Sequence, residues 1–314
     1  MIALWRSEIL RFRSRSLVAA VVTGGIIMIT VVAVTAGFLS TKPTARQEAL
    51  ANRVLNSCPR DLRPVVDRIR NGGGGFAYYY YYGGFSDSGD TYGECYDPFR
   101  SVAFAPQGTL PLAVLPLLLL GSSVIFVAVG IYFGASLVGA DWHHRSMTTL
   151  LTWESRRGRV YVARMGTVIA GTFLVVLGLE AFGGVSLAVT ATLKGTLFGI
   201  DGLWIHTTLD AAVKVAGLAA VAAAITASVA MMCRSTGAAL GLLIAYFGYE
   251  QLMQAINQTS NFWVLARSAF VFLSPADSFD AIGIDRPAAI AALAMYTSAC
   301  LIAGFLVFDR RDVS

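Results

Sequence analysis

Hydrophobic and polar positions along the chain alternate in long blocks, and six of these blocks are apolar. They cover Leu17–Leu39, Leu112–Val138, Val168–Val189, Val215–Met232, Ala238–Met253 and Ala288–Phe308. A helix rises about 1.5 Å per residue and the hydrocarbon core of a bilayer is about 30 Å thick, so roughly 20 residues suffice to cross it. The first, second, third and sixth blocks meet that length. The fourth and fifth are shorter and are separated only by Cys233–Gly237, which predicts a tight helical hairpin. Backbone polar groups in lipid must be satisfied within the protein, and the short-period alternation of a membrane barrel is missing, so the blocks predict helices.

The polar stretches between the blocks give the expected topology. Arg6, Arg11, Arg13 and Arg15 precede the first block, and Arg145, Arg156, Arg157, Arg159 and Arg164 fill the gap between the second and third. Arg234 sits in the hairpin turn, and Arg310 and Arg311 follow the last block. Threading six spans puts all of these on one side, which the positive-inside rule makes cytoplasmic. The fold class expected is therefore an all-α integral membrane protein with six transmembrane helices and cytoplasmic N and C termini. Its spans are 17–39, 112–138, 168–189, 215–232, 238–253 and 288–308. Regions 1–16 and 139–167 are expected on the cytoplasmic side. A sizeable extracytoplasmic loop follows the first helix over 40–111, and 254–287 is the second outer segment. The setting this implies is the cytoplasmic (inner) membrane of a bacterium.

Several local patterns refine that layout. The basic start followed by Leu17–Leu39 invites a secretory signal peptide, but the block far exceeds an h-region of about 7–15 residues, and no small-x-small cleavage site follows. An uncleaved anchor is the reading retained. Ahead of it, Ile2, Trp5, Ile9 and Phe12 recur at helical spacing with Arg6, Glu8 and Arg13 between them, the pattern of an amphipathic helix lying in the interface. In the outer loop, Ala45–Ile69 has helical patterning, and Gly72–Gly75 and Tyr78–Tyr82 then form a low-complexity stretch. That stretch reads either as a flexible tether or as an aromatic binding surface. Cys58 and Cys95 both fall in this loop; an oxidising compartment makes them disulfide candidates, while Cys233 and Cys300 are expected to stay reduced. Phe262–Phe272, apolar but short and interrupted by Arg267, suits an interfacial or re-entrant helix.

Composition excludes more than it selects. Of 314 residues, 56% are hydrophobic and 14% charged, and the mean hydropathy is +0.64. A soluble domain carries about 25% charged residues, so this chain has too little polar surface to stand in water. The net charge of +5 comes from arginine beside apolar blocks; it is topology rather than a nucleic-acid footprint.

No catalytic constellation is present. His143, His144 and His206 have no HExxH or Cys/His companions, so no metal site is expected, and there is no GxSxG elbow. The glycine run lacks the Lys-Ser/Thr of a P-loop, so the chain holds no nucleotide-hydrolysing motif of its own. The remaining suspects are ionisable groups inside spans, which are costly there and functional by default. Glu180 falls mid-span in the third block: it either lines a pathway or forms a buried interhelical hydrogen bond. Glu250 falls toward the outer end of the fifth. Lys214 follows Asp210 by one helical turn, which predicts a structural i,i+4 pair.

The segment Gly139–Met165 carries the most specific signal. Gly139, Asp141, Ser146-Met147, Leu150-Leu151, Arg157 and Arg164 follow one another at the spacing of the second cytoplasmic segment of ABC-2 type exporter permeases. The terminal Phe308-Asp309-Arg310-Arg311-Asp312-Val313 resembles that family's close. Arg145 stands where the family often has Gly, Glu154 replaces the usual Pro, and the outer loop is unusually long. The resemblance implies a permease subunit that pairs with a second permease chain, as homodimer or heterodimer. It would dock two copies of a separate ATP-binding subunit through a coupling helix carrying Asp141, Arg145, Leu150, Leu151, Arg156 and Arg157. ATP and magnesium would be bound by that partner; this chain is expected to need no cofactor, to contact membrane lipid and to bind no nucleic acid. The competing expectation is a membrane sensor or envelope-assembly protein that binds through the Tyr-rich loop.

Overall fold

The computed structural model describes residues 2–46, 112–143, 156–195, 202–256, 265–273 and 286–310, together with 110, 152, 197 and 200. Eight α-helices are defined: α1 Ile2–Ser14, α2 Ser16–Leu39, α3 Leu115–His143, α4 Arg157–Lys194, α5 Gly202–Cys233, α6 Thr236–Ile256, α7 Leu265–Leu273 and α8 Arg286–Arg310. A 3-10 turn, Leu112–Val114, leads into α3, and no strand occurs among the described residues. Five of the helices (α2, α3, α4, α5 and α8) are long and apolar enough to cross a membrane. The fifth predicted span corresponds to α6, which is not one of the five because Glu250 and Gln251 near its end lower its average hydropathy.

The surface supports the same class. Phe38, Val124 and Ile244 are 86%, 77% and 71% exposed, and they belong to an extended set of large apolar side chains facing outward. An apolar exterior of that extent is a liability in water and the normal boundary in lipid. Several hydroxyls within the helices are satisfied locally: Thr23 donates to the Ala19 carbonyl and Thr30 to that of Ile26, both at 2.7 Å.

The interior is organised around α5. Val215, Ala216, Ala219, Ala223, Ala227 and Ala230 are fully buried along it. Their small side chains admit α3 so closely that a Cβ at Gly134 would meet the Ala223 carbonyl oxygen and lie 2.9 Å from the Ala227 nitrogen. Gly130 stands one turn earlier in the same relation to Ala219. This is the small-residue packing that joins helices where the hydrophobic effect cannot drive them together. Helix α4 then covers α5 and α3 from the side, with Val176 packed on Val215, Ala216 and Ala219. At 38 residues, α4 is about 57 Å long at 1.5 Å per residue. It therefore extends well beyond a hydrocarbon core of about 30 Å.

Helix ends differ from the apolar blocks in the direction this implies. Of the region 139–167, residues 139–143 complete α3 and 157–167 begin α4, while most of 144–155 lies outside the described residues. Likewise α5 starts at Gly202, a dozen residues before its apolar block. Helical hydrogen bonding continues past the point where side chains stop being apolar, so hydropathy underestimates helix length. The α5–α6 hairpin is as tight as its spacing predicts, with only Arg234 and Ser235 between the helices. Arg234 adopts the left-handed conformation (φ 54°), and its guanidinium lies 4.7 Å from the centroid of the Trp142 ring.

Candidate functional site

Buried ionisable groups mark three levels of the bundle. The first level is the arginine-rich end. Asp141 lies in the last turn of α3, is buried, and pairs through Oδ1 with Arg15 and through Oδ2 with Arg164. Arg15 is the single residue between α1 and α2, and Arg164 lies two turns into α4. The same guanidiniums reach carbonyls of α3: Arg15 donates to Ser136 and Arg164 to Leu137, each at 3.4 Å. Cations near a helix C-terminus are favoured by the helix dipole, so α3 attracts both arginines before Asp141 is counted. One carboxylate thus ties the start of α2, the end of α3 and the start of α4.

Helix α1 is drawn into this cluster. Glu8 is buried, and Arg11 donates to it at 3.4 Å. The neighbouring Phe12 rests on Gly171 of α4, where a Cβ would come within 2.7 Å of the ring, and Trp5 presses on Gly166 in the same way. Phe12 also meets Phe133 of α3 edge-on, with ring centroids 6.0 Å apart. The C-terminus joins the same end of the bundle. Arg157 donates to the Asp309 carbonyl at 2.9 Å, and Phe308 packs between Trp142 and Tyr161. Arg15, Arg157, Arg164 and Arg234, spread over more than 200 residues of sequence, therefore meet at one end.

The second level is Glu180, midway along α4. It is 4% exposed, and neither carboxyl oxygen has a hydrogen-bond partner among the described residues. Thr172, two turns earlier on the same helix, is also buried with its hydroxyl unpartnered. Of the two readings the sequence left open for Glu180, the described residues supply no partner for an interhelical hydrogen bond.

The third level is Glu250, near the end of α6 away from the arginines. Its carboxylate accepts from the backbone N–H of Leu265 at 2.6 Å and of Ala266 at 3.2 Å. These are the first two residues of α7, whose leading N–H groups have no partner within the helix. Glu250 therefore caps α7 from another element, and the negative charge also suits the dipole at that end. The Tyr246 hydroxyl hydrogen-bonds with Glu250 and with Tyr296 of α8. Helix α7 in turn covers an apolar cavity of about 390 Å³ between α3, α5, α6 and α8, lined among others by Val127, Ile131, Ala222, Phe247 and Phe270. Among the described lining residues only Ser123 and Thr226 are polar, and Thr226 donates to Ala222 at 2.7 Å. The space suits an apolar group better than a polar one.

Other sequence-predicted residues fall as follows. Asp210 and Lys214 form the expected i,i+4 ion pair. Arg156 immediately precedes α4 and Arg157 opens it. Arg145, Leu150 and Leu151 lie outside the described residues, as do Cys58 and Cys95, so neither the predicted docking helix nor the predicted disulfide has a structural description. Cys233 and Cys300 are free thiols. Among the described residues no cluster of His, Cys, Asp or Glu could hold a metal ion.

Sequence reasoning missed the partnership of Arg15, Asp141 and Arg164, in which Arg15 and Asp141 are 126 residues apart. It also passed over Gly130-Ile-Tyr-Phe-Gly134, whose glycine spacing was legible as a close-packing face.

The helices define a multi-pass helical membrane protein. Comparison of the chain with protein-family models, with curated proteins and with solved structures finds no match.

Proposed function

We propose that the chain is the membrane-spanning permease subunit of an ATP-binding cassette exporter, coupled to a separate ATPase subunit. In this reading it spans the bacterial cytoplasmic membrane six times, α6 included, with both termini in the cytoplasm. The observation that carries it is that Arg15, the end of α3 at Asp141, the start of α4 at Arg157 and Arg164, and the end of α8 at Phe308 and Asp309 meet at one end of the bundle. A partner ATPase needs one face on which to act, and the positive-inside rule makes that face cytoplasmic.

The buried Asp141 refines the role of the coupling region. Asp141 is a positioning residue: it fixes the end of α3 and the start of α4, on either side of the predicted coupling segment. Contact with the partner then falls to Arg145, Leu150, Leu151, Arg156 and Arg157, while Asp141 makes their support rigid. Force applied there enters α4 and is passed to α5 through Val176 and its neighbours. Coupling of this kind requires such a packed, contiguous route. A second permease chain would complete the pathway, and the apolar cavity beside α7 gives it a wall suited to apolar cargo.

The test is affinity purification of the tagged full-length chain from its native host in mild detergent, followed by mass spectrometry. A P-loop ATPase at equal copy number is the expected result. A folded, monodisperse preparation without any ATPase overturns the reading.

A further inference from the structure

We infer that the outward flank of α1 is a binding surface for anionic phospholipid headgroups. Helix α1 presents two stripes of identical spacing. Trp5, Glu8 and Phe12 turn inward onto α4, and Arg6, Ile9, Leu10 and Arg13 form the flank beside them. Spacings of three, four and seven residues keep these four on one side of the helix, over about 10 Å of its length. Ile9 and Leu10 are 53% and 58% exposed, too open to belong to the core. Arg6 and Arg13 are exposed and take part in no ion pair among the described residues.

The contrast with the other arginines of this end decides the partner's charge. Arg11 is held by Glu8, and Arg15 and Arg164 by Asp141. The only acidic residue of α1, Glu8, is buried on the opposite stripe, so the flank offers two cations with no internal compensation. Position decides its physical state. Only Arg15 separates α1 from the span Ser16–Leu39, and α1 is clamped against α4. The flank is therefore held where hydrocarbon gives way to headgroups. Two apolar side chains enter the acyl boundary while two guanidiniums, three and four residues away, reach phosphates. Zwitterionic headgroups offer each phosphate already paired with an amine; anionic ones offer net charge. By the usual strength of a basic residue near an anionic surface, two arginines give a preference of roughly thirtyfold at most.

The experiment uses the full-length chain with photoreactive p-benzoylphenylalanine in place of Leu10. The protein is reconstituted in vesicles of equal parts phosphatidylglycerol and phosphatidylcholine, and lipid adducts are counted by mass spectrometry. Phosphatidylglycerol adducts should exceed phosphatidylcholine adducts at least fivefold. Arg6→Gln combined with Arg13→Gln should bring the ratio near one without lowering the unfolding temperature, since neither side chain is built into the core. Equal labelling of the two lipids by the unsubstituted flank overturns the inference, and so does a ratio that the double substitution leaves unchanged. Capture in native membranes of an acidic protein surface instead of lipid would also overturn it.

Discussion

Asp141 and Glu250 are both buried carboxylates near opposite ends of the same bundle, yet they do different work. Asp141 joins two guanidiniums from distant parts of the chain, one of them on a fully enclosed arginine. Glu250 joins two backbone N–H groups of a single nine-residue helix. Removing the first carboxylate strands a buried cation; removing the second leaves uncapped amides that water or a shifted turn can satisfy. The arginine-rich end should therefore behave as a rigid, all-or-none junction. The opposite end should behave as a hinged cover over the apolar cavity, opening locally at low cost. Glu180, between them and without a hydrogen-bond partner among the described residues, belongs to neither pattern.

The contrast can be broken by substitution. Asp141→Ala should have the largest effect, about 3–5 kcal/mol, because it removes the carboxylate that faces the buried Arg164 guanidinium. The expected outcome is loss of monodisperse folded protein on detergent extraction, with partial recovery when Arg164→Met is added. A cost below about 1 kcal/mol would mean that the junction is not held by charge. Next is Gly134→Ala, which places a methyl group against the backbone of α5. A loss of about 1–3 kcal/mol in a thermal melt is expected, and Gly24→Ala, at a site with open space, is the control.

Glu180→Leu has the opposite sign. A buried carboxyl with no hydrogen bond costs free energy to fold, so its replacement should stabilise the bundle by about 1–2 kcal/mol. If transport is lost in the more stable protein, Glu180 is kept for function; a destabilised variant would show that it has a partner after all. Glu250→Ala should cost about 1–2 kcal/mol, and only locally. Amide exchange over Leu265–Leu273 should rise while the global melt stays nearly constant. A global loss equal to that of Asp141→Ala would erase the difference between the two ends. Smallest is Lys214→Ala: its pair with the half-exposed Asp210 is a single helical i,i+4 contact worth about 0.2–0.5 kcal/mol. A melt unchanged within error is the expected reading.

Much of the helical framework was legible in the sequence. Apolar blocks 16 to 27 residues long report their own burial, because every residue in a span must suit lipid or a helix neighbour. Local signals also located helix α1, the α5–α6 turn, the short helix α7 and the Asp210–Lys214 pair. Each depends on residues within a turn or two of one another. The blocks were weaker guides to helix ends, as α5 shows, because backbone hydrogen bonding does not stop where hydropathy falls.

By itself, then, the sequence determined an α-helical membrane protein with its arginines grouped between apolar blocks. Which charge meets which was decided only in three dimensions. Asp141 could not be seen to face inward, because one partner, Arg15 at the α1–α2 junction, lies 126 residues away and the other sits on a different helix, α4. Glu250 could not be seen as a cap, because its acceptor role depends on where α7 starts relative to α6. Glu180 could not be seen to lack a partner, because that follows from every helix around it. Hydropathy is a property of a segment, whereas ion pairing and capping are properties of a packing arrangement, and tertiary structure alone supplies that.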